Sequence, residues 1–383
     1  MPRSWDVFCK VIDNYGDAAV CWRLAQQLAG EHGGQVRLWV DALAPLHALC
    51  PDVSADCTQQ RVAGVEICRW DASADSSAPA DIVIDAFGAG LPEAYIESMA
   101  KRTPRSFWII LEYLSAEPWV RDHHKLPSPH PRLPLERHFF FPGFVPGTGG
   151  VLREADHARR RAAFEADSAA PARFWKELGF EVPAATATVV SLFGYENPAA
   201  EELLRAWADG ERPIVVAVTQ SRLRPALSAF FGAETSNGAS RRRGSLEARF
   251  LPFLSHPRYD ELLWASDWNF VRGEDSLVRA LWAAKPLVWQ IYPQQEQAHT
   301  AKLEAFLALY CAGLDAPMSA ALRALWHAWN DPGWSHAPLG VSWEVLRQDP
   351  GRLRLHARDW TDRQAEAGEL AGNLAQYCME RLK

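Results

Sequence analysis

The sequence predicts an α/β fold built from two parallel sheets. Apolar, β-rich runs alternate with helix-like segments over residues 4–144, and a second series of the same kind begins at residue 187. A turn-forming cluster, PGFVPGTGG at 142–150, separates the two series. Continuous apolar strands that alternate with helices are typical of parallel sheets with both faces covered. Each series therefore predicts one Rossmann-like domain.

In the first series, a helix is predicted over 17–33, because Val20, Leu24 and Leu28 share one face and Gly33 follows. The proline-rich stretch 117–137 is interpreted as a loop. The strands are expected at 4–12, 35–41, 65–70, 81–87, 106–113 and 138–144.

In the second series, a charged helical segment is predicted over 152–178, ahead of the first strand. The polar stretch 232–245, which contains three consecutive arginines, is interpreted as a mobile loop, with an anion-binding patch as the alternative. Strands and helices are expected to alternate over 187–291, and helices over 299–314, 319–330 and 353–382.

Two Rossmann-like domains that face each other across a cleft, closed by C-terminal helices, form the GT-B architecture. The expected divisions are a first domain at 1–150, a helical linker at 151–184, a second domain at 185–352 and a final helix. That helix, 353–383, is expected to pack back toward the first domain. Ligands of open parallel sheets bind at the carboxyl ends of the strands, so the chemistry is expected there.

The composition limits the classes of partner. The 383 residues carry a formal net charge of −7, which gives no basic footprint for nucleic acid. No apolar run approaches the ~20 residues of a membrane span, and the first residues lack the apolar core of a signal peptide, so a cytoplasmic protein is expected. The seven scattered cysteines include no CxxC pair, which argues against a disulfide framework or a zinc site.

The first candidate site is Asp13 and Asp17, which flank a glycine-containing turn after the first strand. A carboxylate pair at this edge could serve as a general base and a cation-binding partner. The alternative is structural, with Asp13 ordering the turn and Asp17 capping the helix. The turn lacks the G-x-G-x-x-G pattern of a dinucleotide-binding loop.

The second candidate site is the segment that ends one strand at Arg272, turns at Gly273 and begins a helix near Asp275 and Ser276. Backbone N–H groups at a helix start favour phosphate. Glu274 and Asp275 could bind sugar hydroxyls, or the segment could simply cap the helix.

The third candidate site is a set of aromatic and amide side chains at strand ends in the second series. Aromatic rings there could stack on a nucleotide base while an amide or a phenol hydrogen-bonds to it, although each ring alone is also typical of a core. These residues are Phe193, Tyr195, Phe253, Gln290 and Tyr292.

Four motifs, DNYGD, SLFGYEN, FVRGEDS and QIYPQQEQAH, together resemble the EarP family, protein-arginine rhamnosyltransferases that modify bacterial elongation factor P. The resemblance covers essentially the whole chain. It implies an inverting GT-B enzyme with no cofactor or metal, the donor dTDP-β-L-rhamnose and an arginine acceptor on elongation factor P. The modified factor would rescue ribosomes stalled at polyproline. The resemblance further implies that the first domain binds the acceptor and the second binds the nucleotide sugar.

The resemblance also implies roles for the candidate residues. Asp17 would be the base beside Asp13, and Glu274 would be needed for activity. Arg272, Gly273, Asp275 and Ser276 would bind the donor near its diphosphate, and the aromatic and amide set would bind its nucleotide. Two alternatives stay open from the residues alone: a GT-B nucleotide-sugar enzyme with a small-molecule acceptor, and a noncatalytic module that binds a translation factor.

Overall fold

The computed structural model describes residues 3–12, 15–71, 74, 76–293, 298–331, 333 and 338–382. The chain divides into two compact units. Unit 1 comprises Met1–Ala155 with Arg363–Lys383, and unit 2 comprises Asp156–Asp362. Each unit contains one sheet with helices, which confirms the α/β class. In the described part of the chain, no helix is both long enough and apolar enough to cross a membrane.

The sheet of unit 1 has eight strands. They are β1 (Ser4–Cys9), β2 (Gln35–Val40), β3 (Gln59–Val62), β4 (Val65–Arg69), β5 (Ile82–Ala86), β6 (Phe107–Leu111), β7 (Pro127–Pro129) and β8 (Glu136–Phe140). Their order is β3-β4-β2-β1-β5-β6-β8-β7. The strands from β4 to β8 in this order run parallel, and β3 and β7 pair antiparallel at the two edges. The helices that follow these strands are α1 (Gly16–Gly30), α2 (Leu43–Leu49), α3 (Glu93–Lys101) and α4 (Trp119–His123).

A buried carboxylate fixes the centre of unit 1. Asp6 of β1 is 0% exposed and accepts hydrogen bonds from the Arg37 guanidinium at 2.6 and 2.7 Å and from Trp39 Nε1 at 3.2 Å. The Tyr95 hydroxyl of α3 also donates to Asp6. A buried charge is tolerated only when it is paired and hydrogen-bonded, as it is here. Asp6 therefore links β1, β2 and α3.

The prediction of a loop over 117–137 is wrong in part. The stretch contains α4 and β7, and it includes the first residues of β8. Pro127 and Pro129 fit in β7 because an edge strand leaves one side without ladder partners, so the missing N–H groups cost little.

The sheet of unit 2 has six strands. They are β9 (Thr188–Leu192), β10 (Ile214–Val218), β11 (Ser240–Arg243), β12 (Leu246–Phe250), β13 (Trp268–Arg272) and β14 (Leu287–Gln290). Their order is β11-β12-β10-β9-β13-β14, and all but the edge strand β11 run parallel. The helices of this unit are α5 (His157–Ala166), α6 (Ala170–Glu177), α7 (Ala200–Asp209), α8 (Arg224–Phe231), α9 (His256–Ala265), α10 (Asp275–Trp282), α11 (Ala298–Tyr310), α12 (Ala316–Asn330) and α13 (Leu339–Leu346). The helix α14 (Pro350–Glu366) lies in this unit as far as Asp362.

The arginine run belongs to a strand, so the prediction of a loop over 232–245 is wrong in part: residues 240–243 form a strand, whereas 232–239 lie outside helices and strands. The run lies in β11, which pairs antiparallel with β12. Arg242 donates to Glu247 Oε2 at 2.5 Å, and Arg243 donates to the Phe230 carbonyl at 3.0 Å. Charged side chains on an edge strand oppose pairing with other chains.

Two of the expected helices are each divided. The segment 152–178 contains α5 and α6, separated where the Asp167 carboxylate accepts the Ala169 N–H at 2.9 Å. The final stretch contains α14 and α15 (Leu370–Arg381), separated at Gly368, whose φ is +83°. A positive φ is inexpensive for glycine and ends a helix. The helix α15 belongs to unit 1.

Candidate active site

The first site lies at the carboxyl edge of the unit 1 sheet. Strands β1, β5 and β6 are neighbours and parallel, so the residues that follow them meet at one edge. Asp17 is the second residue of α1, Phe87 follows β5 directly, and Tyr113 lies two residues after β6. Asp13 and Asn14 lie outside the described residues, so the predicted role of Asp13 stays a prediction.

The Asp17 carboxylate is held from two sides. Asp17 is 3% exposed. Its Oδ2 accepts a hydrogen bond from the Ile12 N–H at 2.9 Å, and its Oδ1 accepts one from the Tyr113 hydroxyl at 3.2 Å. The N-cap residue of α1 is Tyr15, and the Tyr15 side chain makes no capping hydrogen bond. The interpretation of Asp17 as an N-cap is therefore wrong. Asp17 instead ties the loop after β1 to the end of β6.

The turn after β5 brings an aromatic ring to the same place. Phe87 has φ of +59°, its N–H donates to the Leu111 carbonyl at 2.7 Å, and its ring stacks on Tyr113 at 4.4 Å between centroids. Asp85 Oδ1 accepts the Gly90 N–H at 3.1 Å and so closes the turn, and burial raises the pKa of the Asp85 carboxyl. Sequence reasoning missed both Phe87 and Asp85.

The second site lies at the carboxyl edge of the unit 2 sheet. The guanidinium of Arg272, the last residue of β13, lies 4.6 Å from the ring centroid of Phe193 and 4.4 Å from that of Tyr195. Tyr292 presents its ring edge-on to Tyr195 at 5.5 Å and is 41% exposed. The structure thus brings together four of the residues predicted to bind the sugar donor. We call Arg272, Phe193, Tyr195 and Tyr292 the Arg272 cluster. Phe253 follows β12 at the same edge.

Gln290 is hydrogen-bonded to the Arg272 cluster. Its Oε1 accepts the Tyr195 N–H at 2.8 Å, so its amide nitrogen is the group left to act as a donor. A Cβ on Gly194 would lie 2.5 Å from Leu223 Cδ1 and 2.8 Å from Gln290 Oε1. Glycine fits at this position of the motif SLFGYEN because a Cβ would press on the side chains of Leu223 and Gln290.

The start of α10 lies beside the same cluster. Gly273 has φ of +61°, and its N–H donates to the Gln290 carbonyl at 3.1 Å. Ser276 Oγ donates to the Arg272 carbonyl and accepts the Arg272 N–H at 3.2 Å. Glu274 is the N-cap residue by position, but its side chain makes no capping hydrogen bond. A helix N-terminus next to a buried guanidinium combines two features that favour anions.

The Asp275 carboxylate points to other partners. Its Oδ2 accepts Arg279 Nε at 3.1 Å, and Arg279 donates in turn to Asp260 Oδ1 at 2.9 Å. His256 Nε2 lies 3.8 Å from the same Asp275 oxygen. This buried ion-pair network joins α10 to α9, so the Asp275 side chain stabilises the position of the α10 N-terminus. The Tyr259 ring of α9 lies 6.1 Å from Phe193, and burial raises the pKa of its hydroxyl.

A family model described as Elongation-Factor P (EF-P) rhamnosyltransferase EarP matches residues 5–379. The chain belongs to the EarP family. A protein-arginine rhamnosyltransferase of Pseudomonas putida is 46% identical over 379 residues, which cover 98% of this chain and 99% of that relative. The resemblance drawn from the four motifs is thereby confirmed.

Solved structures agree with this EarP assignment. One solved structure concerns EarP-mediated arginine glycosylation of translation elongation factor EF-P. Its sequence is 34% identical to this chain, the TM-score is 0.70, and the match covers 99% of both chains. The calicheamicin glycosyltransferase CalG4 shares the fold, with 15% identity, a TM-score of 0.51 and coverage of 100% of this chain and 98% of its own. The GT-B fold class is confirmed, and the chain is a glycosyltransferase rather than a noncatalytic module.

Proposed function

We propose that this enzyme transfers L-rhamnose from dTDP-β-L-rhamnose to an arginine side-chain nitrogen of elongation factor P, with inversion at the anomeric carbon. The observation that most supports the proposal is that this chain, a member of the EarP family, holds the Asp17 carboxylate in a fixed orientation at a sheet edge. With that acceptor the enzyme would act in the cytoplasm, without nucleic acid or membrane partners, and its product would be the factor competent to rescue ribosomes at polyproline.

Asp17 makes the acceptor nucleophilic in this proposal. A guanidinium, with a pKa above ~12, is protonated at neutral pH and is a poor nucleophile. A carboxylate binds its N–H groups by charge-assisted hydrogen bonds. As the nitrogen attacks the anomeric carbon, the new C–N bond forms, the bond from that carbon to the diphosphate oxygen breaks, and the nitrogen loses a proton to Asp17. Asp13 would be the second carboxylate of the pair.

The Arg272 cluster and α10 would bind the donor. Phe193, Tyr195, Tyr292 and Phe253 would contact the nucleotide, and the Gln290 amide nitrogen would donate to a carbonyl of the base. The leaving dTDP gains negative charge, which Arg272 and N–H groups at the start of α10, including that of Ser276, would stabilise. Gly273, whose own N–H donates to the Gln290 carbonyl, would form the turn beside the diphosphate. Asp275 would hold that start in place through Arg279. Glu274 would stabilise the positive charge that develops on the sugar.

Loss of an aromatic face is expected to weaken donor binding. Phe193→Leu keeps apolar bulk but removes the ring, so the Kd for dTDP should rise at least ~5-fold, since base stacking contributes ~1–3 kcal/mol per base. Titration calorimetry measures this change. Phe180→Leu is the matched control, because Phe180 packs on Trp175 in a core cluster of the same unit and should leave the Kd unchanged. Equal affinities for both variants and the parent enzyme would remove Phe193 from the donor site.

The proposed charge stabilisation requires no metal ion. Turnover is therefore expected to be the same in excess EDTA as in buffer with Mg²⁺, because Arg272 and α10 carry the stabilising charge. Mass spectrometry of elongation factor P over a time course measures both rates. A loss of turnover in EDTA that Mg²⁺ restores would contradict the metal-free proposal.

The experiment that tests the function is intact-mass spectrometry of elongation factor P incubated with the enzyme and dTDP-β-L-rhamnose. One added deoxyhexose, located on an arginine and in the α configuration by NMR, would support transfer with inversion. Binding of dTDP without any addition would contradict the protein acceptor and favour the small-molecule alternative. Absence of both would contradict the donor assignment as well.

A further inference from the structure

We infer that Tyr113 is a positioning residue for Asp17: its hydroxyl, supported by the ring of Phe87, holds the carboxylate in the orientation needed to take the proton. The inference rests on the proposed function, because it concerns the group that orients the proposed base. It assigns a role to a residue that follows β6 and lies outside all four sequence motifs.

The geometry gives each Asp17 oxygen its own donor. The Ile12 N–H reaches Oδ2 at 2.9 Å from the loop after β1, and the Tyr113 hydroxyl reaches Oδ1 at 3.2 Å from the end of β6. Two donors on opposite oxygens, from segments far apart in sequence, oppose rotation of the carboxylate. A base on a mobile side chain would need to be oriented in every reaction cycle, so a fixed base favours proton transfer.

Tyr113 is itself held in place. Its ring lies 4.4 Å from that of Phe87 with an angle of 14° between the planes. The preceding residue, Glu112, donates its N–H to the Phe140 carbonyl at 3.0 Å, which anchors this segment to β8. The ring stack and the hydrogen bond of the preceding residue therefore both restrain Tyr113.

The backbone conformation of Phe87 supports a functional role for the stacking of Phe87 on Tyr113. Phe87 has φ of +59°, a region that bulky residues rarely adopt. Its N–H still donates to the Leu111 carbonyl at 2.7 Å, so the backbone turns only after the β5–β6 ladder has ended. Strained backbone tends to persist where the surrounding structure requires it, often at active sites. Here the strain places the ring on Tyr113.

A second tyrosine–aspartate pair in unit 1 provides the contrast. Tyr95 donates to Asp6 in the core, where both residues are 0% exposed and Arg37 neutralises the carboxylate. That pair contributes to stability. The Asp17 pair, by contrast, lies at the carboxyl edge of the sheet, where the proposed proton transfer takes place. The same substitution at each tyrosine therefore separates a structural role from a positioning role.

The test compares Tyr113→Phe with Tyr95→Phe. Tyr113→Phe should lower kcat on the order of 10-fold, because one hydrogen bond to a charged group is lost, with KM for dTDP-β-L-rhamnose and Kd for dTDP unchanged. Tyr95→Phe should lower Tm and leave kcat unchanged. Phe87→Leu, which keeps the hydroxyl but removes the stack, should lower kcat by a smaller factor and provides a second measurement if Tyr113→Phe fails to fold.

The outcomes separate the inference from the proposed function. Unchanged kcat in Tyr113→Phe, or in Phe87→Leu where that variant alone folds, would overturn the positioning role. An equal loss of kcat in Tyr113→Phe and Tyr95→Phe would also overturn it, because the effect would then be general to the fold. Failure of the parent enzyme to modify elongation factor P would instead overturn the proposed function.

Discussion

Asp17→Asn is expected to reduce rhamnose transfer about 10²- to 10⁴-fold while leaving the Kd for dTDP unchanged. The amide keeps an oxygen that can accept one of the two hydrogen bonds that Ile12 and Tyr113 now donate, but it cannot accept a proton at neutral pH. The expected size is the usual contribution of a positioned general base. Intact-mass spectrometry measures transfer, and calorimetry measures dTDP binding.

Asp41→Asn is the matched control for this prediction. Asp41 Oδ1 accepts the Val11 N–H at 2.9 Å, so Asp41 supports the same loop as Asp17 but through a neighbouring backbone group. The asparagine can keep that hydrogen bond, and transfer should stay within a factor of about two. If both variants lost transfer equally, the loop geometry rather than the base would explain the effect. Near-normal transfer by Asp17→Asn would exclude Asp17 as the base.

The position of Asp17 was predictable from sequence, but its partner was not. Strand ends and glycine turns are local features, and parallel strands bring their carboxyl ends to one edge. That logic placed Asp17, Arg272 and Gln290 correctly at sheet edges. The contact between Asp17 and Tyr113 depends on β5 lying between β1 and β6 and on the left-handed backbone of Phe87. Neither leaves a periodic signal in the sequence.

The partners of charged residues were likewise not predictable from the sequence. The sequence placed Asp275 beside a helix start, where a carboxylate is typical of either a cap or a ligand contact. The structure pairs it with Arg279, four residues later, and through Arg279 with Asp260 of another helix. A run of three arginines likewise suggested a solvated loop, whereas in β11 all three donate hydrogen bonds, to Glu247 or to backbone carbonyls. Some of these partners are distant in sequence, since Asp260 lies 19 residues from Arg279 and Phe230 lies 13 residues from Arg243, and composition does not show them.

Arg272→Gln is expected to lower kcat/KM for dTDP-β-L-rhamnose about 10²- to 10³-fold. The guanidinium lies against the faces of Phe193 and Tyr195, in a residue that is 9% exposed, so its charge acts in a partly desolvated setting. Removal of one group that stabilises developing negative charge typically costs ~3–4 kcal/mol in the transition state. Arg272→Lys keeps the charge without the planar contact to the rings and should lose less.

Binding measurements distinguish two ways in which Arg272 could act. If the guanidinium binds the diphosphate, Arg272→Gln should weaken dTDP but leave thymidine affinity unchanged. If it only orders the two rings, both affinities should fall together, and the proposed stabilisation of the leaving group would be wrong. Arg243→Gln is the matched control, because Arg243 lies 4.5 Å from the Phe230 ring on the edge strand β11 and should change neither affinity. The comparison therefore separates cation–ring packing in general from the role of a charge at the start of α10.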